Sequence, residues 1–311
     1  MLNKNTRVLV TGATGFVGRF LCHYLLQLGC QVKAVGRANQ FELKHPNLTY
    51  CCLPSIDGST NWGNLLIDID VVIHLAARVH QLKDRGMQQL TAYQRVNVQG
   101  TEQLARAAVL AGVKRFIYLS SIKVNGEQTM DTAFHADDEP RPQGSYALSK
   151  FQAEQILQKV CRRSATEWII IRPPLIYGPR VKGNFQKLLR LAQSLLPLPF
   201  LTVKNARSFV SVHNLSNFIA CCMTHPHAGG EVFLVSDNQD CSLAELIRWL
   251  RHAMGRRSGL FPFPVGWLKG LASIMFKRQQ ANRLFGSLQL NINKSMRLLN
   301  WQPPYTMEQS L

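Results

Sequence analysis

The stretch that most constrains this chain runs from Val8 to Gly18, Val-Leu-Val-Thr-Gly-Ala-Thr-Gly-Phe-Val-Gly. A short apolar run opens it. Gly12, Gly15 and Gly18 then recur at three-residue spacing, and an amphipathic segment from Phe20 to Leu28 follows. The pattern predicts a strand, a tight turn and a helix. Glycine lets a backbone turn sharply and lie close to a ligand. The helix N-terminus offers unpaired N–H groups and the positive end of a dipole. A pyrophosphate suits that geometry, so a dinucleotide-binding turn is expected, lined by Gly12, Thr14, Gly15, Phe16, Val17 and Gly18. A glycine triplet is a weak signal by itself; its place between a strand and a helix gives it weight.

The rest of the chain can be placed around that turn. Val32–Val35 reads as a second strand after Gly29, a helix stop, and it ends at Gly36-Arg37. In a dinucleotide fold this strand tip meets the adenosine ribose. No acid stands at the tip, and Arg37 is suited to a 2′-phosphate, which favours NADP(H) over NAD(H). Leu48–Leu53 is a third strand, Asn61–Ile67 a short helix and Val71–Ala76 a fourth strand. Leu75, Ala76 and Ala77 close that strand where a backbone would approach the cofactor, and His74 reads as packing. A helix is expected over Ala92–Leu110, with Asn97 holding the neighbouring strand end. Phe116–Ser121 is a fifth strand, Ser145–Cys161 a helix, and Trp168–Ile171 a sixth strand closed by Arg172-Pro173-Pro174. Glu231–Val235 is a further strand. The acidic, proline-rich run from Asp137 to Pro142 reads as a solvated loop. Strands alternating with helices at this spacing predict an α/β fold, a doubly wound parallel (Rossmann) sheet with helices on both faces.

Ser121, Tyr146 and Lys150 are the candidate chemistry. Tyr146 and Lys150 are four apart on one predicted helix and share a face. An ammonium beside a phenol favours the phenolate and lowers its pKa. That makes a general acid/base usable near neutral pH. Ser121, at a strand end, can hydrogen-bond the reacting oxygen. A Tyr and a Lys at this spacing also occur on any exposed helix; the glycine turn and the upstream serine raise the pair above that background.

Thr11-Gly12-x-x-Gly15-x-x-Gly18, Asn97, Ser120-Ser121, Tyr146-x-x-x-Lys150 and Arg172-Pro173-Pro174-x-x-Tyr177-Gly178-Pro179 together resemble an extended short-chain dehydrogenase/reductase. The resemblance is to the nucleotide-sugar group typified by UDP-glucose 4-epimerase. It continues through Arg207-Ser208-Phe209-Val210-Ser211-Val212-x-Asn214-Leu215 and Leu299-Asn300-Trp301-x-Pro303. Gly183-Asn184-Phe185 and Leu196-Pro197-Leu198-Pro199 look like the branch of UDP-4-keto-6-deoxy-N-acetylglucosamine reductases, which serve bacterial surface polysaccharide such as O-antigen. The resemblance implies that Ser121, Arg207, Asn184 and Arg283 hold the nucleotide-sugar, with Arg207 on the diphosphate. It also implies that Tyr146, Lys150 and Pro173 border the cofactor, together with Ser55 and Ile56 near the adenine. The family's adenine-binding Asp is missing: either Ser55 replaces it or Asp57 is shifted in. Ile122-Lys123 follows Ser121 where a dehydratase has Asp-Glu, which argues against loss of a C6 hydroxyl.

The expected activity is therefore NAD(P)-dependent reduction at sugar C4. The near alternative is a 4-epimerase on a soluble or lipid-linked sugar. The alternative from another class, a non-catalytic NADP-binding regulator, has no need of the acid/base side chains. Residues 1–177, with a return segment 206–236, are expected to form the cofactor domain. Residues 178–205 and 239–311 are expected to form a smaller C-terminal substrate domain. The resemblance also suggests a homodimer.

The formal charge of +18 leaves anionic ligands, nucleic acid or an anionic membrane as partners. After residue 239 ten Lys and Arg face three acids. No zinc-finger, RNP or basic-zipper pattern accompanies them, so no nucleic-acid partner is expected. The stretch Leu260–Phe276 has Lys269 as its single charge and could lie on a membrane surface, or pack against the substrate domain. No run of about 18 apolar residues predicts a spanning helix. Eight cysteines without C-x-x-C spacing suggest reduced thiols, no metal site and a cytoplasmic protein, and no signal peptide is expected.

Overall fold

The apolar runs assemble side by side. In the computed structural model, residues 5–79, 87–181, 183–268, 270 and 284–311 are described, apart from the side chains of Met87 and Asn184. The strands are β1 (Arg7–Thr11), β2 (Gln31–Gly36), β3 (Leu48–Cys52), β4 (Val71–His74), β5 (Arg115–Leu119), β6 (Glu167–Arg172) and β9 (Glu231–Leu234). They form one seven-stranded sheet in the order β3-β2-β1-β4-β5-β6-β9. Every pairing is parallel, with Val8 opposite Val32 on one side and Val71 on the other. The strand order reverses between β1 and β4, the crevice where such sheets take ligands.

Helices cover both faces, so the central strands are buried throughout. Leu21 and Leu25 of α1 (Phe16–Gln27), with Leu215 and Phe218 of α7 (Val212–Thr224), pack on Val8, Val10 and Ile171. Leu104 of α4 (Gly100–Leu110), with Ala153 and Leu157 of α5 (Gly144–Cys161), packs on Leu9, Phe116 and Ile170.

Beyond β6 the chain leaves the sheet. β7 (Leu175–Tyr177) pairs in parallel with β8 (Phe209–Ser211). Asp237 locks this pair: its buried carboxylate accepts from the Ser211 N–H, Asn214 Nδ2 and the Tyr177 hydroxyl. Outside it, α6 (Asn184–Gln193) and α8 (Leu243–Ala253) enclose two smaller apolar clusters. The final segment bridges Leu288 to Arg207 and Leu290 to Phe134, then forms α9 (Asn293–Leu299) and α10 (Met307–Ser310). Asn300 stops α9 with a φ of 46°. Lys294 pairs with Asp137 at 2.7 Å, which ties the solvated loop to α9 while Asp137 stays exposed.

Two boundaries differ instructively. The helix expected over Ala92–Leu110 begins earlier, at α3 (Met87–Tyr93), and passes through a π-helical segment, Gln94–Gln99, before α4. β5 stops at Leu119, short of Ser121: the Ser120 N–H makes the last ladder bond, to the Ile171 carbonyl, and Ser121 then caps a 3-10 turn, Ile122–Val124.

His74 is fully buried at the end of β4. Its Nδ1 lies 2.6 Å from Thr11 Oγ1 and its Nε2 3.1 Å from Thr101 Oγ1. The Thr101 hydroxyl spends its proton on the Asn97 carbonyl, so it must accept from Nε2. Nδ1 therefore accepts from Thr11, and the ring is neutral. Burial pushes its pKa down to about 3. The unfolded ring takes a proton near pH 6.5, so its contribution to stability is full above that value and is lost as pH falls toward 3. Denaturant unfolding from pH 7 down to pH 4 should show this loss, by up to about 1.4 kcal/mol per pH unit for one proton. A His74→Gln variant should give a shallower slope.

Candidate active site

The expected dinucleotide turn has the geometry for its ligand. Gly12 has a φ of +71°, and a Cβ there would lie 2.8 Å from the Ala76 amide nitrogen. A Cβ at Gly18 would collide with the Gly12 carbonyl. Gly15 N–H donates to the Gly12 carbonyl at 2.9 Å and closes the turn. Gly15 is also the N-cap of α1 and has no side chain to occupy the free N–H groups of Phe16, Val17 and Gly18. A phosphate fits there, over a floor of half-buried Leu75, Ala76 and Ala77. Thr14 packs against Gly36 at the tip of β2. Arg37 follows, exposed, with no ion-pair partner among the described residues. Ser55 is exposed and Ile56 buried beyond β3.

Asp57, the alternative to Ser55, is already committed. One carboxylate oxygen accepts from the Ser59 N–H and hydroxyl, the other from Arg95 at 2.7 Å. The Ser59 bonds, with help from Arg95, hold its pKa well below the usual carboxylate range. Asp57 anchors the π segment, and Ser55 is left as the exposed polar group.

The structure brings Ser121 and Tyr146 together. Ser121 lies near enough to the phenol to pull its pKa down in part. Burial, followed by Tyr93, pushes that pKa up to about 12. The expected lowering by Lys150 is not what this structure contains. The Lys150 ammonium, 2% exposed, donates to the Leu119 carbonyl at 2.7 Å and lies 4.3 Å from the centre of the Tyr118 ring. Burial lowers its pKa to about 7, against a smaller upward pull from Glu154. The reason for the difference is burial: both groups share the helix face as expected, and desolvation is the largest influence on each.

Asn97 is buried in the π segment. Its Oδ1 accepts from the Arg78 N–H at 2.7 Å, and its Nδ2 donates to the Arg78 carbonyl and to Ser149 Oγ. It thus holds the chain after β4 to the residue beside Lys150. Tyr93, at the head of the same segment, packs edge-on against Tyr146 at 6.0 Å. The sequence reading passed over Tyr93 and Ser149.

It also passed over a buried ion pair. Glu154, one turn beyond Lys150, takes Arg172 in a two-pronged bond of 3.0 and 2.6 Å. Ser120 donates to the same carboxylate, and Asn125 accepts from Arg172 at 3.0 Å. The spacing of Tyr146, Lys150 and Glu154 on one face was the available signal. Pro173 follows Arg172, and its carbonyl accepts from Ile122 N–H at 2.9 Å.

Arg207 is half-buried at the inner edge of the outer layer, and its Nη1 donates to the Gly286 carbonyl at 2.9 Å. The side chain of Asn184, and Arg283 entirely, lie outside the described residues. Among the described residues no three His, Cys, Asp or Glu gather as metal ligands.

Two buried cations should respond oppositely to removal. Arg172→Leu strands the Glu154 carboxylate and should cost about 3–5 kcal/mol in denaturant unfolding, part of which Glu154→Leu in the same chain restores. Lys150→Met should leave the melting temperature unchanged or higher. The unfolded lysine binds its proton below pH 10.5, the folded one only below about 7, so the buried ammonium opposes folding at neutral pH.

A model of the NAD dependent epimerase/dehydratase family matches residues 8–236. The UDP-glucose 4-epimerase of Vibrio cholerae is 40% identical over 305 residues, 97% of this chain and 92% of that protein. The N-acetyl-alpha-D-glucosaminyl-diphospho-ditrans,octacis-undecaprenol 4-epimerase of Escherichia coli is 29% identical over 86% of this chain and 78% of that protein. Among solved structures, the UDP-glucuronic acid 4-epimerase of Bacillus cereus in complex with NAD superposes with a TM-score of 0.76 at 21% identity, covering 98% of this chain and 95% of that one.

Proposed function

This chain belongs to the NAD dependent epimerase/dehydratase family, and from that premise we propose that it is a 4-epimerase of a UDP-hexose or UDP-N-acetylhexosamine. The observation that carries the reading is the juxtaposition of Ser121 and the Tyr146 phenol just past the end of β5, two strands from β1 and its glycine turn. A regulator without catalysis would not need that pair. The Vibrio cholerae relative, 40% identical over 97% of this chain, supports epimerisation over the net reduction first expected.

Residues 1–177 and 206–236 supply the cofactor side in this reading, and the remainder the sugar side. Gly12, Gly15 and the first turn of α1 hold the dinucleotide phosphates. A bound nicotinamide supplies the two-electron exchange at sugar C4. Tyr146 takes the C4 hydroxyl proton and later returns it. Its phenol resists ionisation in the free protein, so a positive charge must act on it once cofactor and sugar are bound; Lys150, one helical turn away, is assigned that role in its protonated form. Ser121 hydrogen-bonds the same sugar oxygen and fixes its distance from the phenol. Arg207 takes the diphosphate. Much of the binding energy then comes from groups remote from the reacting carbon. Asn97 sets the helix that carries Lys150 but touches no substrate.

Arg37 favours a second reading. Its free guanidinium at the ribose end of β2 suits a 2′-phosphate, hence NADP(H) and net reduction of a 4-keto sugar. The two readings separate in one assay. Purified protein should interconvert UDP-N-acetylglucosamine and UDP-N-acetylgalactosamine, or UDP-glucose and UDP-galactose, without added cofactor. Consumption of NADPH with UDP-4-keto-6-deoxy-N-acetylglucosamine, and no interconversion, would establish the reductase instead. In either case Tyr146→Phe should lower turnover by roughly 100-fold or more. UDP affinity, measured by calorimetry, should stay within a few-fold.

A further inference from the structure

We propose that the face built by residues 195–201 and 256–267 seats this protein on an anionic lipid surface. Six large apolar side chains are exposed there: Leu195, Leu196, Leu201, Phe261, Phe263 and Trp267. Leu195 is 90% exposed, Leu196 70% and Trp267 75%. A contiguous apolar patch of this kind marks an interaction surface.

The patch is one built surface. Leu198 N–H donates to the Gly259 carbonyl at 2.9 Å, and Phe261 N–H returns to Leu198 at 3.0 Å. Leu201 N–H donates to Phe261, and the Thr202 hydroxyl to Phe263. Arg251 fixes the platform from beneath. It is 3% exposed, and its guanidinium donates to the carbonyls of Ala192, Ser194, Leu196 and Ser258. Those four bonds hold the loop in place with Leu195 and Leu196 facing outward. Leu198, Phe200 and Leu268 fill the core below.

Charge selects lipid over an ordinary protein partner. No Asp or Glu occurs from Trp168 to Gly230 or from Leu246 to Met307; Asp240 and Glu245 share a pocket with Leu201 and Lys204 at one edge of the face, where Ser208 and Gln289 hold Asp240 and the N-cap Ser242 holds Glu245. Arg257 and Lys204 are exposed on the two segments, and Arg256 beside them donates to the Gln193 carbonyl. Trp and Phe favour the boundary between water and acyl chains. Each cation held near an anionic leaflet strengthens binding about fivefold. Among the described residues no helix is long and apolar enough to cross a membrane, so the seat is peripheral. Residues 271–276 of the apolar stretch lie outside the described residues and carry no part of the argument.

The inference does not depend on the sugar reaction, and its test reads binding alone. Full-length protein is sedimented with vesicles of phosphatidylglycerol and phosphatidylcholine, and separately with phosphatidylcholine alone. Binding to the anionic vesicles is expected to exceed binding to the neutral ones at least tenfold and to fall with added salt. Leu195→Glu with Trp267→Glu should abolish it, while turnover in solution stays unchanged. Lys204→Glu with Arg257→Glu should weaken it at least 25-fold, from two lost cations at about fivefold each. Equal binding to both vesicles, or no effect of either double variant, overturns the proposal. So does a change of oligomeric state in the apolar variant by sedimentation velocity, which would assign the face to a second copy of the chain.

Discussion

The buried pair of Arg172 and Glu154 is the constraint on which the site depends. Arg172 ends β6, and Glu154 sits on the inner face of α5. Two charges out of water are tolerable because every prong is met: the carboxylate takes the fork and the Ser120 hydroxyl, and the spare guanidinium nitrogen takes Asn125. Burying such a pair does little for net stability. It does set geometry. β5, its following turn, α5 and β6 meet at these four side chains, and Ser121, Lys150 and Pro173 are each next to, or one turn from, one of them.

That geometry explains the electrical state of the site. The helix is held so close to the sheet that Lys150 loses nearly all contact with water. Its ammonium is left with a carbonyl and the face of Tyr118. The same packing leaves Tyr146 only partly exposed. Each group is pushed toward its neutral form, and each is sensitive to any charge that arrives. Such a site favours whichever ligand brings compensating polarity with it.

Much of this was legible in the residues. The glycine spacing foretold the turn because an apolar run precedes it and an amphipathic segment follows it. The alternation of apolar runs foretold the main sheet because strands buried on both faces must be apolar throughout. Other features left no trace at that level. β7 and β8 have three residues each, too few for a period. The Arg172–Glu154 contact joins residues 18 apart that only the folded sheet brings together. Asp57 looked like a stray ligand, and its role became clear only when Arg95 was placed opposite it. The pKa of Tyr146 was misjudged because helix spacing reports neighbours and not hydration.

The π segment in the long helix has its own consequence. An α-helix advances by about 100° per residue, so a wide turn is a permanent phase offset between the parts on either side of it. Asn97 sits inside that offset and is pinned at both ends, to Arg78 and to Ser149. Gly100 follows just past it, where a Cβ would lie 3.1 Å from the Ile56 carbonyl oxygen, a tight contact. The length of this stretch is therefore what matters most: one residue gained or lost would swing the Asn97 amide away from Arg78 and Ser149.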